Sequence, residues 1–281
     1  MSEKIWFVTG ASRGIGKCIS RRALEHGDKV VATARDISTL DDLVQKFPGR
    51  ICPVRMDAND PDTISAAVEK AIETFGNLHV LVNNAGYGLQ GMIEEVSMEQ
   101  VRQQMETNFF GLVYCTQQIL PVMRKQNDGF IANISSVAGL RGMAGFGIYN
   151  ASKFAVEGFT EALAQEVRSF NIRVCAVEPG PYRTDWAGDS LHRSDAMKNL
   201  EENSPYAEIN RKFKKMLDDR SGKQPGDPEQ IAAVLVQYSE KPVVPLHLLF
   251  GDVGIQAWEE RKALLGDESF MKLFTHDKWN I

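Results

Sequence analysis

The chain has 281 residues, 43% of them hydrophobic, with a formal net charge of −5. That is ample for one packed α/β domain, and no Pro/Gly/Ser-rich linker divides it. The acidic balance argues against nucleic acid as a partner, and no apolar run approaches membrane-spanning length.

Residues 5–9, Ile-Trp-Phe-Val-Thr, form a continuous apolar run of the kind found in strands buried on both faces of a parallel sheet. They enter that strand directly, with no signal-peptide apolar region before it. Gly10-Ala-Ser12-Arg13-Gly14-Ile15-Gly16 follows and leads into a helical pattern that ends near Gly27. Strand, glycine turn and helix form the context of a dinucleotide-binding turn. Its glycines let the backbone approach a pyrophosphate, and the helix N-terminus favours the negative charge.

Lys29–Ala34 reads as the second strand, with Arg35 and Asp36 at its end. The position after this strand reads the adenosine ribose. An acidic residue would suit a free 2′-hydroxyl, but Ala34 stands at the tip. Arg35 and Arg13 instead suit a 2′-phosphate, through charge-assisted bonds. NADP(H) is therefore expected over NAD(H). Asp36 can cap the next helix or point inward and favour NAD.

Residues 37–47 and 60–75 read as helical. Ile51–Met56 is a third strand, and Asp57 at its tip has two readings, adenine binding or capping of a turn. His79–Val82 is a fourth strand, followed by Asn83-Asn84-Ala85-Gly86. That is a turn signal by composition, though buried asparagines there could also hold a cofactor ribose. Ser97–Lys125 reads as one long helix with Asn108 among apolar neighbours.

A strand over Phe130–Ile134 leads to Ser136 and a glycine-rich loop, then to Tyr149 and Lys153, four residues apart on one helix face. An ammonium beside a phenol favours the phenolate. Such a tyrosine can exchange a proton with a carbonyl or alcohol oxygen near neutral pH.

Ile172–Val177 is the next strand, followed by Glu178-Pro179-Gly180-Pro181 and Thr184. Residues 181–226 read as a substrate lid or as a solvated helical pair, with the basic cluster 211–215 as a solvated face. Asp227–Ser239 is a helix opened by Asp-Pro, and Pro245–Phe250 is a short seventh strand. The apolar residues beyond it (Trp258, Leu264, Leu265, Phe270, Leu273, Phe274, Trp279) are expected to pack on the domain, the pocket or a partner. The four cysteines are widely spaced and read as buried free thiols of a cytoplasmic protein. The histidines show no metal spacing, so no metal is expected. The alternation of strands and helices predicts a doubly wound parallel seven-stranded sheet in the order 3-2-1-4-5-6-7.

These motifs, in this order, resemble the short-chain dehydrogenase/reductase family in its compact, non-extended branch, over residues 4 to 184 and more weakly to about 250. Thr9-Gly10-x-x-x-Gly14-x-Gly16 looks like the cofactor turn and Asn83-Asn84-Ala85-Gly86 like the sheet-stabilising motif. Asn108 matches the helix asparagine, Ser136 the catalytic serine thirteen residues before the tyrosine, and Tyr149-x-x-x-Lys153 the catalytic pair. Pro179-Gly180 with Thr184 looks like the loop that binds the nicotinamide carboxamide.

The resemblance implies a Rossmann-type fold in one domain, 1–281, with a helical lid and a C-terminal extension over about 252–281. It implies hydride transfer between NADP(H) and a carbonyl or secondary alcohol. Ser136 would hold the substrate oxygen, Tyr149 would give the proton, Lys153 would bind the nicotinamide ribose, and Asn108 would hold a water in a proton relay. Met143 and Trp186, with Leu89, Met92, Leu140 and Phe146, make the substrate segments apolar and suggest a hydrophobic ketone.

Many relatives end near residue 250 with a tetramer-building turn. This chain runs about thirty residues past Asp252, as hydroxysteroid and retinol dehydrogenase-like members do. A homodimer or homotetramer is expected, with a monomer also open. The alternatives are an NAD-dependent alcohol dehydrogenase of the same fold, an epimerase or dehydratase with tightly held cofactor, and a non-catalytic NADP-binding redox sensor.

Overall fold

The structure is a computed structural model that describes residues 3–266, apart from 185–187, 189, 200, 201 and 221. Its centre is a seven-stranded parallel sheet. In chain order the strands are β1 (Ile5–Val8), β2 (Lys29–Ala34), β3 (Ile51–Arg55), β4 (Val80–Asn83), β6 (Gly129–Ile134), β7 (Ile172–Pro179) and β9 (His247–Phe250). They lie in the order β3-β2-β1-β4-β6-β7-β9, the doubly wound order expected. A second sheet of two short parallel strands, β5 (Gly88–Gln90) and β8 (Leu191–Arg193), was not anticipated. Three residues are too few for a period-2 pattern to stand out in sequence.

The helices are α1 (Gly14–His26), α2 (Asp41–Lys46), α3 (Pro61–Phe75), α4 (Met98–Met105), α5 (Gly111–Gln126), α6 (Gly147–Glu166), α7 (Asp195–Asn199), α8 (Ala207–Arg220), α9 (Pro228–Ser239) and α10 (Gly251–Gly266). Their ends follow local chemistry. Asp60 and Asp227 cap α3 and α9, each followed by proline at the first helical position. Ser97 and Gln100 form a capping box on α4. Gly27 ends α1 with φ 105°, a conformation that favours glycine.

Alternate residues of each central strand point to opposite faces, so β1 feeds two cores. Trp6 and Val8 pack with Ile19, Leu24, Ile231 and Leu235 from α1 and α9. Ile5 and Phe7 pack with Ile64, Val68, Cys115 and Ile119 from α3 and α5. Each such side chain, fully buried, contributes roughly 1.5–3 kcal/mol of transfer free energy.

The helix expected over Ser97–Lys125 is present from Met98 to Gln126, with its α geometry interrupted once. Between α4 and α5 the chain widens into a π turn, Glu106–Phe110. Asn108 lies in that turn and is 1% exposed, so the usual fate of a mid-helix asparagine, facing solvent, does not hold here.

The basic stretch 211–215 lies on α8, where Lys212 reaches solvent and pairs with Glu208 at 2.6 Å. The four cysteines are unbonded thiols, three buried and Cys18 half-buried. In the C-terminal part, Ala257, Val253 and Trp258 of α10 pack on Val137, Leu140 and Leu249. Leu264 and Leu265 remain exposed on the same helix. Phe270, Leu273, Phe274 and Trp279 lie outside the described residues. No helix among the described residues is long and apolar enough to cross a membrane.

Candidate active site

The carboxyl ends of β1, β4, β6 and β7 bring the expected residues to one edge of the sheet. The turn after β1 needs its glycines for two reasons. Gly10 and Gly14 have φ of 65° and 55°, which L side chains rarely adopt. A Cβ on Gly16 would stand 2.4 Å from Gly10 O and 2.5 Å from Asn84 Nδ2.

The turn is fixed from the neighbouring strand. Asn84 Nδ2 donates to Thr9 O (2.9 Å) and Gly10 O (3.0 Å), and Thr9 Oγ1 accepts from the Asn84 and Ala85 amides, both at 2.8 Å. Asn83 does a different task. It donates to Thr116 and to Asn133, tying β4 to α5 and β6 inside the protein.

The start of α1 fits an anionic group. No side chain caps it, and no acidic residue lies in its first turn. Its first amides can therefore serve a pyrophosphate, with the macrodipole in favour. Ser12 and Ile15 sit half-buried in this turn and Arg13 is exposed there. Thr184 lies against it, 3.4 Å from where a Cβ on Gly14 would be. The loop that follows Pro179 and Gly180 thus meets the glycine turn at Thr184.

Arg35 is exposed at the tip of β2. Asp36 takes the capping role: its carboxylate accepts from Ser38 N (3.0 Å) and Ser38 Oγ (2.7 Å), and those bonds hold it below the usual carboxylate range. Asp57 likewise accepts from Asn59 N at 2.9 Å, the turn-capping geometry.

Lys153 and Tyr149 are buried, at 6% and 5% exposure, and the lysine Nζ lies 5.9 Å from the tyrosine ring centre. Nζ donates to Ile134 O at 2.8 Å. Burial pushes the Lys153 ammonium down to about 8, with Glu157 acting in the opposite sense. Ser136 is half-buried at the end of β6. Its Oγ accepts from Ala138 N at 3.1 Å and lies 3.5 Å from Pro179 O.

Tyr149 packs with Ala138, Phe146 and Leu191, and Met143 and Leu217 lie against that cluster. Leu191 belongs to β8, so the segment after β7 reaches back to the tyrosine. Trp186, expected beside it, lies outside the described residues.

Asn108 is held on both sides. Its Nδ2 donates to Tyr87 O (3.0 Å) and Ser152 Oγ (3.1 Å), and its Oδ1 accepts from Tyr87 N (3.0 Å). Gly86 fits because a Cβ there would stand 3.0 Å from Asn108 Oδ1. The π turn thus aims a buried amide between the Asn-Asn-Ala-Gly turn and α6, as π turns at functional sites often do.

A cleft of about 290 Å³ lies beside the glycine turn, lined by Gly14, Lys17, Cys18, Arg21, Arg183 and Thr184. It does not reach Ser136 or Tyr149. Lys17 pairs with Asp42 at 3.0 Å and Arg21 pairs with Glu229, so two of its cations are already matched.

The short chain dehydrogenase family model matches residues 4–195. The chain belongs to the short-chain dehydrogenase/reductase family. It is 38% identical over 254 residues to oxidoreductase BOA17 of Botryotinia fuckeliana, covering 90% of each chain. It is 42% identical over 184 residues to a 3-ketodihydrosphingosine reductase of Bacteroides thetaiotaomicron, 66% of each chain. The crystal structure of a short-chain dehydrogenase from Streptomyces avermitilis superposes with a TM-score of 0.85 at 35% identity, covering 95% of this chain and 97% of that one. As a short-chain dehydrogenase/reductase the chain is an oxidoreductase that transfers hydride between CH–OH or C=O groups and a nicotinamide cofactor.

Sequence reasoning did not find Ser152, Tyr87 or Leu191 around the candidate catalytic set. It also passed over Glu157, Glu178 and His247. Glu157 had a signal, since it stands one helical turn after Lys153. Glu178 and His247 had none, because sheet pairing between β7 and β9 joins them across 69 residues.

Proposed function

We propose that this enzyme is NADP(H)-dependent and interconverts a hydrophobic ketone and its secondary alcohol. The observation that supports the coenzyme reading is that Arg13 and Arg35 both act electrostatically on one residue, His192. Both are exposed, Arg13 in the glycine turn and Arg35 just after β2. Burial, Lys198 and these two charges together hold His192 of β8 below its usual range. The competing carboxylate, Asp36, is engaged with Ser38. The apolar surroundings of Tyr149 (Phe146, Leu191, Met143 and Leu217) favour a hydrophobic substrate. So does the name of one relative, a ketone reductase acting on 3-ketodihydrosphingosine.

Gly10, Gly14, Gly16 and the α1 N-terminus would hold the pyrophosphate, with Ser12, Ile15, Ala85 and Gly86 beside it. Arg13 and Arg35 would take the 2′-phosphate, and Asp57 would face the adenine. Lys153 would hold the nicotinamide ribose, and Pro179, Gly180 and Thr184 the carboxamide. The bound coenzyme supplies or accepts the hydride.

The protein then manages the proton. Ser136 holds the substrate oxygen by a hydrogen bond. Tyr149 gives that oxygen its proton in reduction and takes it back in oxidation. The Lys153 ammonium beside the ring favours the phenolate that remains. The buried setting strengthens stabilisation of the developing alkoxide. Asn108 would hold a water that links Lys153 to solvent in a proton relay.

Titration of the protein with NADPH and NADH, followed by tryptophan fluorescence quenching, tests the coenzyme reading. NADPH should bind more tightly, and Arg35→Ala should weaken it by at least tenfold, about 1.4 kcal/mol, leaving NADH unchanged. Equal affinities for both coenzymes would overturn the assignment to NADP(H).

A further inference from the structure

Lys153 is a buried cation, and burial of an unmatched charge is costly. Its ammonium donates to a neutral carbonyl, Ile134 O. The compensating charge that acts on it is Glu157, one turn later on α6.

Glu157 is itself 6% exposed and belongs to a closed group. Its Oε2 lies 3.5 Å from His247 Nδ1 on β9. The same nitrogen lies 2.8 Å from Glu178 Oε1 on β7, whose residue is fully buried. Ligand atoms of the three residues lie within 4.8 Å of one another. The His247 ring lies between the two carboxylates, so the three form an ion-pair network.

The network is shaped for this arrangement. A Cβ on Gly139 would stand 2.8 Å from Glu157 Oε1 and 2.7 Å from Ser135 Oγ, so only glycine lets the carboxylate lie flat against that loop. Among the described residues, Ser135 Oγ and both carboxylate oxygens of Glu157 make no hydrogen bond, and Glu157 Oε2 is left with its ion pair to His247. Ser135 immediately precedes Ser136. On the outer side, Trp258 of α10 stacks on His247 with ring centres 5.9 Å apart.

We propose that Glu157 is a positioning residue for the reaction: held by His247, Glu178 and the Gly139 loop, its carboxylate keeps the Lys153 ammonium charged beside Tyr149. This rests on the reading of Lys153 as the catalytic lysine. Other ionisable groups lie around it among the described residues. Tyr149 and Glu161 lie on α6, Glu161 3.6 Å from His247 Nε2. Cys175 and Glu178 lie on β7, and His247 on β9. Arg261 of α10 covers Phe154, 5.3 Å from its ring centre. Of the acidic pair, Glu178 is the more deeply buried, and burial pushes it up to about 7.

The test reads the lysine directly, without substrate or coenzyme. The protein is labelled with 15N-lysine, and the Lys153 Nζ signal is identified by its loss in Lys153→Arg. Its titration midpoint is then followed by NMR. Glu157→Gln should lower that midpoint by at least one pH unit, and Glu157→Asp, which keeps the charge, should bring it most of the way back. If Glu157→Gln does not fold, Glu157→Ser gives the same readout with a hydroxyl in place of the carboxylate. A midpoint unchanged in a folded, charge-free variant overturns the proposal, whatever the enzyme's substrate proves to be. A turnover assay adds the corollary: the alkaline limb of the pH profile moves to lower pH in Glu157→Gln and returns in Glu157→Asp.

Discussion

Thr9 and Asn84 are bonded twice, backbone to side chain in both directions: Asn84 N donates to Thr9 Oγ1 at 2.8 Å, and Asn84 Nδ2 donates to Thr9 O at 2.9 Å. The pair locks the glycine turn after β1 to the end of β4. Thr9→Val keeps the shape and removes the hydroxyl, so the amides of Asn84 and Ala85 lose their acceptor. Leaving a buried donor unsatisfied costs roughly 1–3 kcal/mol, and these two are only partly buried. About 2 kcal/mol in total is expected, or a Tm lower by about 3–4 °C for a chain of this size. Calorimetry on the two proteins checks it. An unchanged Tm would mean that the turn is held elsewhere.

Gly16 is a more local probe of the same turn. Gly16→Ala puts a methyl 2.4 Å from Gly10 O, and the backbone must move to admit it. The strands beneath need not. We expect dinucleotide affinity to fall by more than tenfold, above about 1.4 kcal/mol, with far-UV circular dichroism unchanged. A fluorescence titration decides it, and wild-type affinity would show that the pyrophosphate does not lie against this face.

Tyr149→Phe removes the hydroxyl and keeps the ring that packs on Phe146, 6.3 Å away between centres. With the proposed proton transfer lost, turnover should drop by about 10²- to 10⁴-fold while coenzyme binding persists. A variant that retains more than half of wild-type turnover would move the acid–base role to another group.

The His247 network gives stability a pH dependence. Its bonds to Glu157 and Glu178 raise His247 from the ordinary 6.5 to about 10. A group raised on folding stabilises fully below its unfolded value and loses that contribution as pH rises through the folded one. The window therefore runs from about pH 6.5 to about pH 10. Glu178, raised to about 7, acts in the same direction at lower pH. The Tm of the wild type should fall across pH 7 to 10 more steeply than that of His247→Gln. Every tenfold gain in the imidazole's proton affinity on folding corresponds to about 1.4 kcal/mol, and solvent at the half-buried ring screens part of it. Parallel curves for the two proteins would remove the network from the stability of the fold.

The fold class and the candidate active site were legible in sequence for a shared reason: each part is local. Apolar runs of four to six residues mark strands such as Ile5–Val8 and Lys29–Ala34. Glycines mark the turn that needs positive φ at Gly10 and Gly14. Helical spacing puts Tyr149 and Lys153 on one face, and alternation of strands and helices fixes a right-handed, doubly wound order.

What the tertiary structure decided is which distant groups meet. Asn108 looked like a misplaced polar residue in one long helix, until the π turn aimed it at Tyr87 and Ser152. Residues 181–226 could be read as a lid or as a solvated pair, and the pairing of β8 with β5 brings Leu191 against Tyr149. Glu157, Glu178 and His247 are ordinary surface residue types in sequence. They become a buried charge network only because β7 and β9 pair and α6 crosses them. Local patterning sets where strands and turns form. Sheet order and packing set which charges share a low-dielectric space, and that second step depends on contacts that no short window of sequence contains.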